Sequence, residues 1–169
     1  KKPVLVMWTR EDDMAGGTYR PAARYHFKAG LDTKGEIIAF YLRGVGINAG
    51  NSTRQDNFPV GAIDNVLIES FDQKSAVTTG PWRAPITNFL GFAEQAFLDE
   101  VAEVAGKDPI QMRLQLLEKV KTNPVGKITY EPARFEEVIK QVAEKASWKK
   151  KPGVYQGFSV YYSHLSYVA

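Results

Sequence analysis

RYHFKAGLDTKGEIIAFYLRGVGI, residues 24–47, is the stretch that decides the fold. From Arg24 to Leu31 the side chains alternate, with Tyr25, Phe27 and Ala29 set against Arg24, His26 and Lys28. A period of two puts each set on its own face of a strand, so the segment reads as a half-buried strand. Asp32-Thr33-Lys34-Gly35 supplies turn chemistry: an aspartate able to bond its own backbone, and a glycine free to take positive φ. Glu36 to Ile47 is the return strand, and the two form a hairpin.

On the N-terminal side, Val4 to Trp8 is rich in β-formers and reads as a further strand. Thr9 to Asp13 follows as a polar turn, and Gly16-Gly17 as a break. On the C-terminal side, Asn48 to Phe58 is polar and rich in Gly, Asn and Ser, hence a loop. Val66 to Ile68 and Ser75 to Thr78 are expected as short strands.

The period then changes. Between Asn88 and Ala105, Phe89, Phe92, Ala93, Ala96, Phe97, Val101 and Val104 recur at three and four, as an amphipathic helix requires. Glu94, Gln95, Asp99, Glu100 and Glu103 fall mainly on its other faces, Asn88 is the expected N-cap, and Gly106 stands where a left-handed C-terminal residue belongs. Asp108-Pro109-Ile110-Gln111 opens a second helix with Ile110, Leu114 and Leu117 inward. A third begins near Pro132, with Phe135, Val138, Ile139, Val142 and Ala146 inward. Tyr155 to Val168 returns to β character, broken at Gly157. Strands, then helices, then a strand indicate an α+β fold: a sheet with a hairpin, packed by two to three helices.

At 169 residues the chain is long enough for one domain with a real core. Its 44% hydrophobic and 24% charged content is globular and not that of a disordered segment. Without cysteine it has no disulfide, thiolate zinc site, cysteine nucleophile or iron–sulfur ligand of its own. The +3 net charge is scattered, with one dense basic run at Lys149-Lys150-Lys151, so nucleic-acid binding is not expected. No apolar run approaches the roughly 20 residues of a membrane span. Lys1-Lys2-Pro3 leads straight into apolar residues and Tyr167-Val168-Ala169 stops inside a strand-like run. Both ends therefore read as cuts through a longer polypeptide.

Several constellations invite chemistry. Ser163 and His164 suggest a nucleophile and its base, but neighbours on a strand point to opposite faces, so each is read as an ordinary polar residue, as is His26. Glu11, Asp12 and Asp13 are read as a solvated turn over a cation site. Gly44 to Gly50 lacks the spacing and following helix of a dinucleotide loop. Thr79-Gly80-Pro81-Trp82-Arg83-Ala84-Pro85 differs from these, because it precedes a helix start where free N–H groups favour an anion. Arg83 adds a permanently charged donor fork, and Trp82 an aromatic plane. The same residues would equally suit a rigid loop packing Trp82 into the core.

Trp82-Arg83-Ala84-Pro85, the run Phe97 to Ala102, and Gly106-Lys107-Asp108-Pro109 together resemble the xanthine dehydrogenase/aldehyde oxidase family. The likeness extends to Trp8 to Met14, Tyr19-Arg20-Pro21, the hairpin from Ala29 to Gly35, and the closing Gly157 to Val160 and Ser166 to Ala169. It is nearest to the molybdopterin-binding large subunit of isoquinoline 1-oxidoreductase-type enzymes. The resemblance implies a fragment of an oxidoreductase subunit that hydroxylates N-heteroaromatic or aldehyde substrates with water-derived oxygen. It implies a molybdenum–pterin cofactor carrying a cytosine nucleotide, and a separate small iron–sulfur subunit as partner. By the same carry-over, Gly80, Trp82, Arg83 and Ala84 lie beside the cofactor and Pro85 on the substrate side. Many relatives have Gly and Phe in place of Ala84 and Pro85, and proline cannot stack on a substrate ring as that Phe does. The family's Gly-Phe-Gly loop, Gly-Gln loop and glutamate base have no counterpart in the chain, so no catalytic or metal-ligating residue is expected within it, and the fragment alone is expected to be inactive and to bind no cofactor. A non-catalytic interaction module is the alternative.

Overall fold

The computed structural model describes residues 1–149 and 151–169. The middle lysine of the basic run, Lys150, lies outside the described residues. The architecture is α+β. Strands β1 (Ala23–Leu31), β2 (Ile37–Ile47) and β3 (Asn65–Gln73) form one sheet in that order, β1 antiparallel and β3 parallel to β2. Helices α2 (Thr87–Val104), α3 (Pro109–Thr122) and α4 (Pro132–Lys145) cover one side, and the short strands β4 (Tyr161–Ser163) and β5 (Ser166–Val168) pair as a second small sheet. A first short helix, α1 (Arg10–Gly16), precedes them.

The hairpin forms as expected. Ala23 to Leu31 pairs with Gly46 back to Ile37, and Asp32 Oδ1 accepts the N–H groups of Lys34 and Glu36 across the turn. Phe27 faces inward and stacks on Phe97 of α2 at 5.0 Å between centroids, with Phe40 edge-on to both. Leu42, Leu90, Leu98, Ile110, Leu117, Phe135 and Ile139 complete one continuous core.

Four expectations are corrected. Val4 to Trp8 is not a strand. It runs unpaired, with side chains 62–86% exposed, because no neighbouring strand is there to complete its hydrogen bonds. Thr9 to Asp13 is the start of α1 instead of a turn: Thr9 Oγ1 accepts the Asp12 N–H, and Asp12 returns the favour to the Thr9 N–H, a reciprocal cap. Of the three acids, Asp12 is thus used in the cap. The strand expected at Val66–Ile68 extends over all of β3, while Ser75 to Thr78 is no strand and is tied down by Asn48, whose side-chain amide donates to the carbonyls of Ser75 and Val77. At the chain's end, only β4 and β5 of the expected Tyr155 to Val168 stretch are strands.

The Asn48 to Phe58 segment is a loop, but a buried one. Ser52, Thr53, Asn57 and Phe58 are sealed inside, and the backbone is satisfied by side chains from β3, with Asp72 taking the N–H of Ala49 and Ser70 that of Ser52. Gly44 and Gly46 make the space. A Cβ on Gly44 would stand 2.6 Å from Thr53 Cγ2, and one on Gly46 2.6 Å from Ala49 Cβ. The glycines that resembled a phosphate loop are therefore there for close packing.

Helix α2 is the largest departure. Its buried residues are Leu90, Gly91, Glu94, Gln95, Leu98, Val101 and Ala102, so the inward face is rotated from the expected stripe, and Phe92 and Val104 point outward. It begins at Thr87, with Ile86 at the N-cap and no side-chain cap. The capping of α3 by Asp108, which accepts from the N–H groups of Ile110 and Gln111, is as expected, and so are Gly106 with φ of 66° and the start of α4 at Pro132. Within α3, Met112, Arg113 and Leu116 are buried as well as Ile110 and Leu117.

Candidate functional site

The turn before α2 is held from behind by residues 18–20. Tyr19 bridges to Thr79, the Tyr19 N–H donates to the Thr78 carbonyl, and the Gly80 N–H donates back to the Tyr19 carbonyl. Gly80 lies so close to Thr18 that a Cβ would stand 2.3 Å from its Oγ1, which requires glycine. Arg20 then reaches over the turn. One guanidinium nitrogen donates to the Arg83 carbonyl at 2.8 Å and the other to the Ala84 carbonyl at 3.5 Å, while the same group sits 5.9 Å above the Trp82 ring. Ala84 has a φ of 55°, the left-handed region.

Trp82 is 59% exposed, so the core-packing reading of this loop fails. Arg83, Ala84 and Pro85 are exposed too. Among the described residues no acceptor takes the N–H of Trp82, Arg83 or Ala84, and Arg83 makes no ion pair. Free amides, an unpaired cation and an open aromatic face are what an anionic ligand with an aromatic part requires. The described residues contain no cluster of three or more His, Cys, Asp or Glu side chains placed to hold a metal ion.

A cleft of about 620 Å³ opens beside the turn, between the first turns of α2 and residues 157–168. Ala84 is the one of the five expected residues on its wall, with Gly91, Gln95, Phe158 and Tyr161 opposite and below. Gly80, Trp82, Arg83 and Pro85 do not line it.

Beneath the cleft lies a polar cluster that the sequence reading missed. Glu94 is 3% exposed and its Oε2 has no partner. Burial pushes its carboxyl up to about 8, with the Tyr161 hydroxyl and the Arg54 guanidinium pulling partway back, so it keeps its proton at neutral pH. Tyr161 stands beside Glu94 and Asn57 without reaching good geometry to either, and the Arg54 Nε and Gln95 Nε2 are likewise buried and unbonded. Gly91 lets the Tyr161 ring lie flat on α2, where a Cβ would meet it at 3.2 Å. Gln95 Oε1 accepts from Arg113 Nε and from the Val160 N–H. Arg113, fully buried, also donates to the carbonyls of Pro109, Gln95 and Phe158 and pairs with Asp99 at 2.7 Å, which ties α2, α3 and the C-terminal segment together. Leu90, Glu94, Leu98 and Ala102 recur every four residues, the signal by which the buried Glu94 could have been found.

The Ser163–His164 pair does touch, Oγ to Nδ1 at 2.7 Å. His164 is exposed and no carboxylate is bonded to it, so nothing orients the imidazole as a triad would. His26 is exposed and packs edge-on to Tyr41 of the neighbouring strand.

No family model matches the chain. The chain is 24% identical to the aldehyde oxidoreductase molybdenum-binding subunit PaoC of Escherichia coli and 26% identical to the isoquinoline 1-oxidoreductase subunit beta of Brevundimonas diminuta. Each match covers 89% of this chain, which spans about a fifth of the relatives' length, 21% and 20% respectively. In fold it is similar to the aldehyde oxidoreductase of Desulfovibrio gigas, with a TM-score of 0.54 at 16% identity over 77% of this chain and 15% of that one. The quinoline 2-oxidoreductase of Pseudomonas putida 86 gives 0.52 at 16% identity, over 74% and 18%. In sequence and in fold, this chain resembles a segment of the molybdopterin-binding large subunit of the xanthine dehydrogenase/aldehyde oxidase family.

Proposed function

We propose that the chain is a segment of a molybdenum hydroxylase large subunit and forms one wall of its cofactor site. The carrying observation is the turn of Gly80 to Pro85, exposed from Pro81 onward, with three unbonded amides and a free guanidinium beside a cleft. Gly80 allows the turn its close path, the Trp82, Arg83 and Ala84 amides face the anionic part of the cofactor, and the Trp82 ring covers its flat part. Pro85 stands toward the substrate, of the N-heteroaromatic or aldehyde class. When bound, the molybdenum–pterin group supplies a two-electron acceptor for hydroxylation with oxygen from water. The residues of this chain orient that group and exclude water on one side. A cytosine dinucleotide form of the cofactor and a small iron–sulfur subunit as partner belong to the same reading.

The test is a titration of the chain with isolated molybdenum–pterin cofactor, followed by backbone amide resonances. Shifts centred on Trp82, Arg83 and Ala84, with weak overall retention, are expected. Stoichiometric retention by this chain alone, or shifts confined to the far side of the sheet, would overturn the assignment. A second reading, a protein-interaction module, draws support from Phe92 of α2, 77% exposed, and would be favoured by a stable complex abolished by Phe92→Glu.

A further inference from the structure

We propose that Arg20 is the positioning residue of the turn: its guanidinium fork fixes the Arg83 and Ala84 carbonyls and so fixes which way the neighbouring amides face. This inference rests on the reading of the turn as an anion-presenting element, and it assigns the element's conformation to a residue 63 positions away in sequence.

The geometry carries it in three steps. A non-glycine residue at positive φ is unfavourable, so Ala84 needs its surroundings to hold it there. Helix α2 contributes one restraint, the Asn88 N–H donating to the Ala84 carbonyl at 3.2 Å. That bond fixes only the helix side of Ala84. The peptide linking Arg83 to Ala84 is fixed from its carbonyl side, and the one donor that reaches the Arg83 oxygen among the described residues is Arg20 Nη2, at 2.8 Å. Because a peptide is planar, holding the Arg83 carbonyl toward Arg20 turns the Ala84 N–H to the opposite side. The amide thus faces away from Arg20.

Arg20 is itself well anchored. Tyr19 before it is bonded at both its N–H and its carbonyl to Thr78 and Gly80. The Arg20 side chain makes no ion pair among the described residues, so its donors are committed to the turn. A fork of two nitrogens spanning two successive carbonyls is a geometry that guanidinium offers and a single ammonium does not. The contact with the Trp82 ring adds a third point, holding the indole beside the amides.

The experiment uses this chain with inorganic pyrophosphate as the anionic probe, read by backbone amide shifts, and compares the native chain with Arg20→Ala, Arg20→Lys and, as a charge-matched control, Arg24→Ala. Thermal melts of all four identify any variant that fails to fold. In the native chain the Ala84 carbon shifts report left-handed φ, and pyrophosphate moves the Trp82, Arg83 and Ala84 amides. In Arg20→Ala and in Arg20→Lys the Ala84 shifts move toward extended values, and pyrophosphate binding weakens by about ten-fold or more, while Arg24→Ala behaves as native. Full native binding and native Ala84 shifts in Arg20→Lys would overturn the inference, since charge alone would then suffice. Unchanged Ala84 shifts in Arg20→Ala would overturn it as well, with the anion-presenting turn still standing. A native chain whose 82–84 amides ignore pyrophosphate would instead bring down the reading of the turn.

Discussion

Glu94→Gln should make the protein more stable at neutral pH, although it removes the most deeply buried acid of the cluster beneath the cleft. In the folded chain the carboxyl titrates near 8, and in the unfolded chain at its ordinary 4.5. Between those values the folded state holds a proton that the unfolded state has lost, so stability falls as pH rises. Below 4.5 both states are protonated and the group contributes nothing to the dependence. Above about 8 both are ionised and the penalty is at its full size. At 1.36 kcal/mol per unit, the interval from 4.5 to about 8 corresponds to about 5 kcal/mol, and the part reached by pH 7 to about 3 kcal/mol. Glutamine reproduces the protonated shape and cannot ionise. Urea unfolding of both chains from pH 4.5 to 8.5 measures the difference directly, provided the slope against urea is unchanged. Other acids cancel in the comparison, and the lowered ones, Glu36 beside Lys107 and Lys119 among them, titrate below this window. The two chains should coincide near pH 4.5 and diverge steadily to about pH 8, with the variant the more stable. A native chain that is as stable as the variant at pH 8 would show that Glu94 is ionised and held by Arg54, and would refute the reasoning.

Three further outcomes are expected. Arg113→Ala leaves Asp99 and Gln95 without their buried partner and should cost about 3–5 kcal/mol, enough to unfold the chain near room temperature by circular dichroism. Asp108→Ala removes the α3 cap and the acceptor of the Trp148 indole N–H, and should lower stability by about 1–2 kcal/mol in a denaturant titration. Ala84→Gly relieves the positive φ and should raise the melting free energy by about 1 kcal/mol, less whatever entropy the unfolded glycine regains.

Much of this was legible in the sequence where a local rule and the packing agree. The hairpin was readable because its alternation and its Asp-Gly turn name the same register. Helix α3 was readable because Asp108 and Pro109 fix its start whatever lies nearby. Val4 to Trp8 was misread because β-propensity says nothing about whether a partner strand exists. The phase of α2 was misread because phenylalanines drew the stripe toward Phe92, whereas the fold buries Glu94 and Gln95, polar groups whose neighbours Arg54, Arg113 and Tyr161 lie on three other parts of the chain. At the candidate site, the composition of the turn singled out Gly80 to Pro85 for inspection, whereas the contact Arg20 makes with it joins residues distant in sequence and carries no local signature.

The most direct measurement is the position of molybdenum itself: crystals of the full large subunit that carries this chain, loaded with molybdenum–pterin cofactor, with anomalous scattering recorded across the molybdenum edge. A peak against the Trp82, Arg83 and Ala84 amides, at the mouth of the cleft, is expected. A peak elsewhere on the chain, or an ordered pterin that leaves those three amides in water, would contradict it.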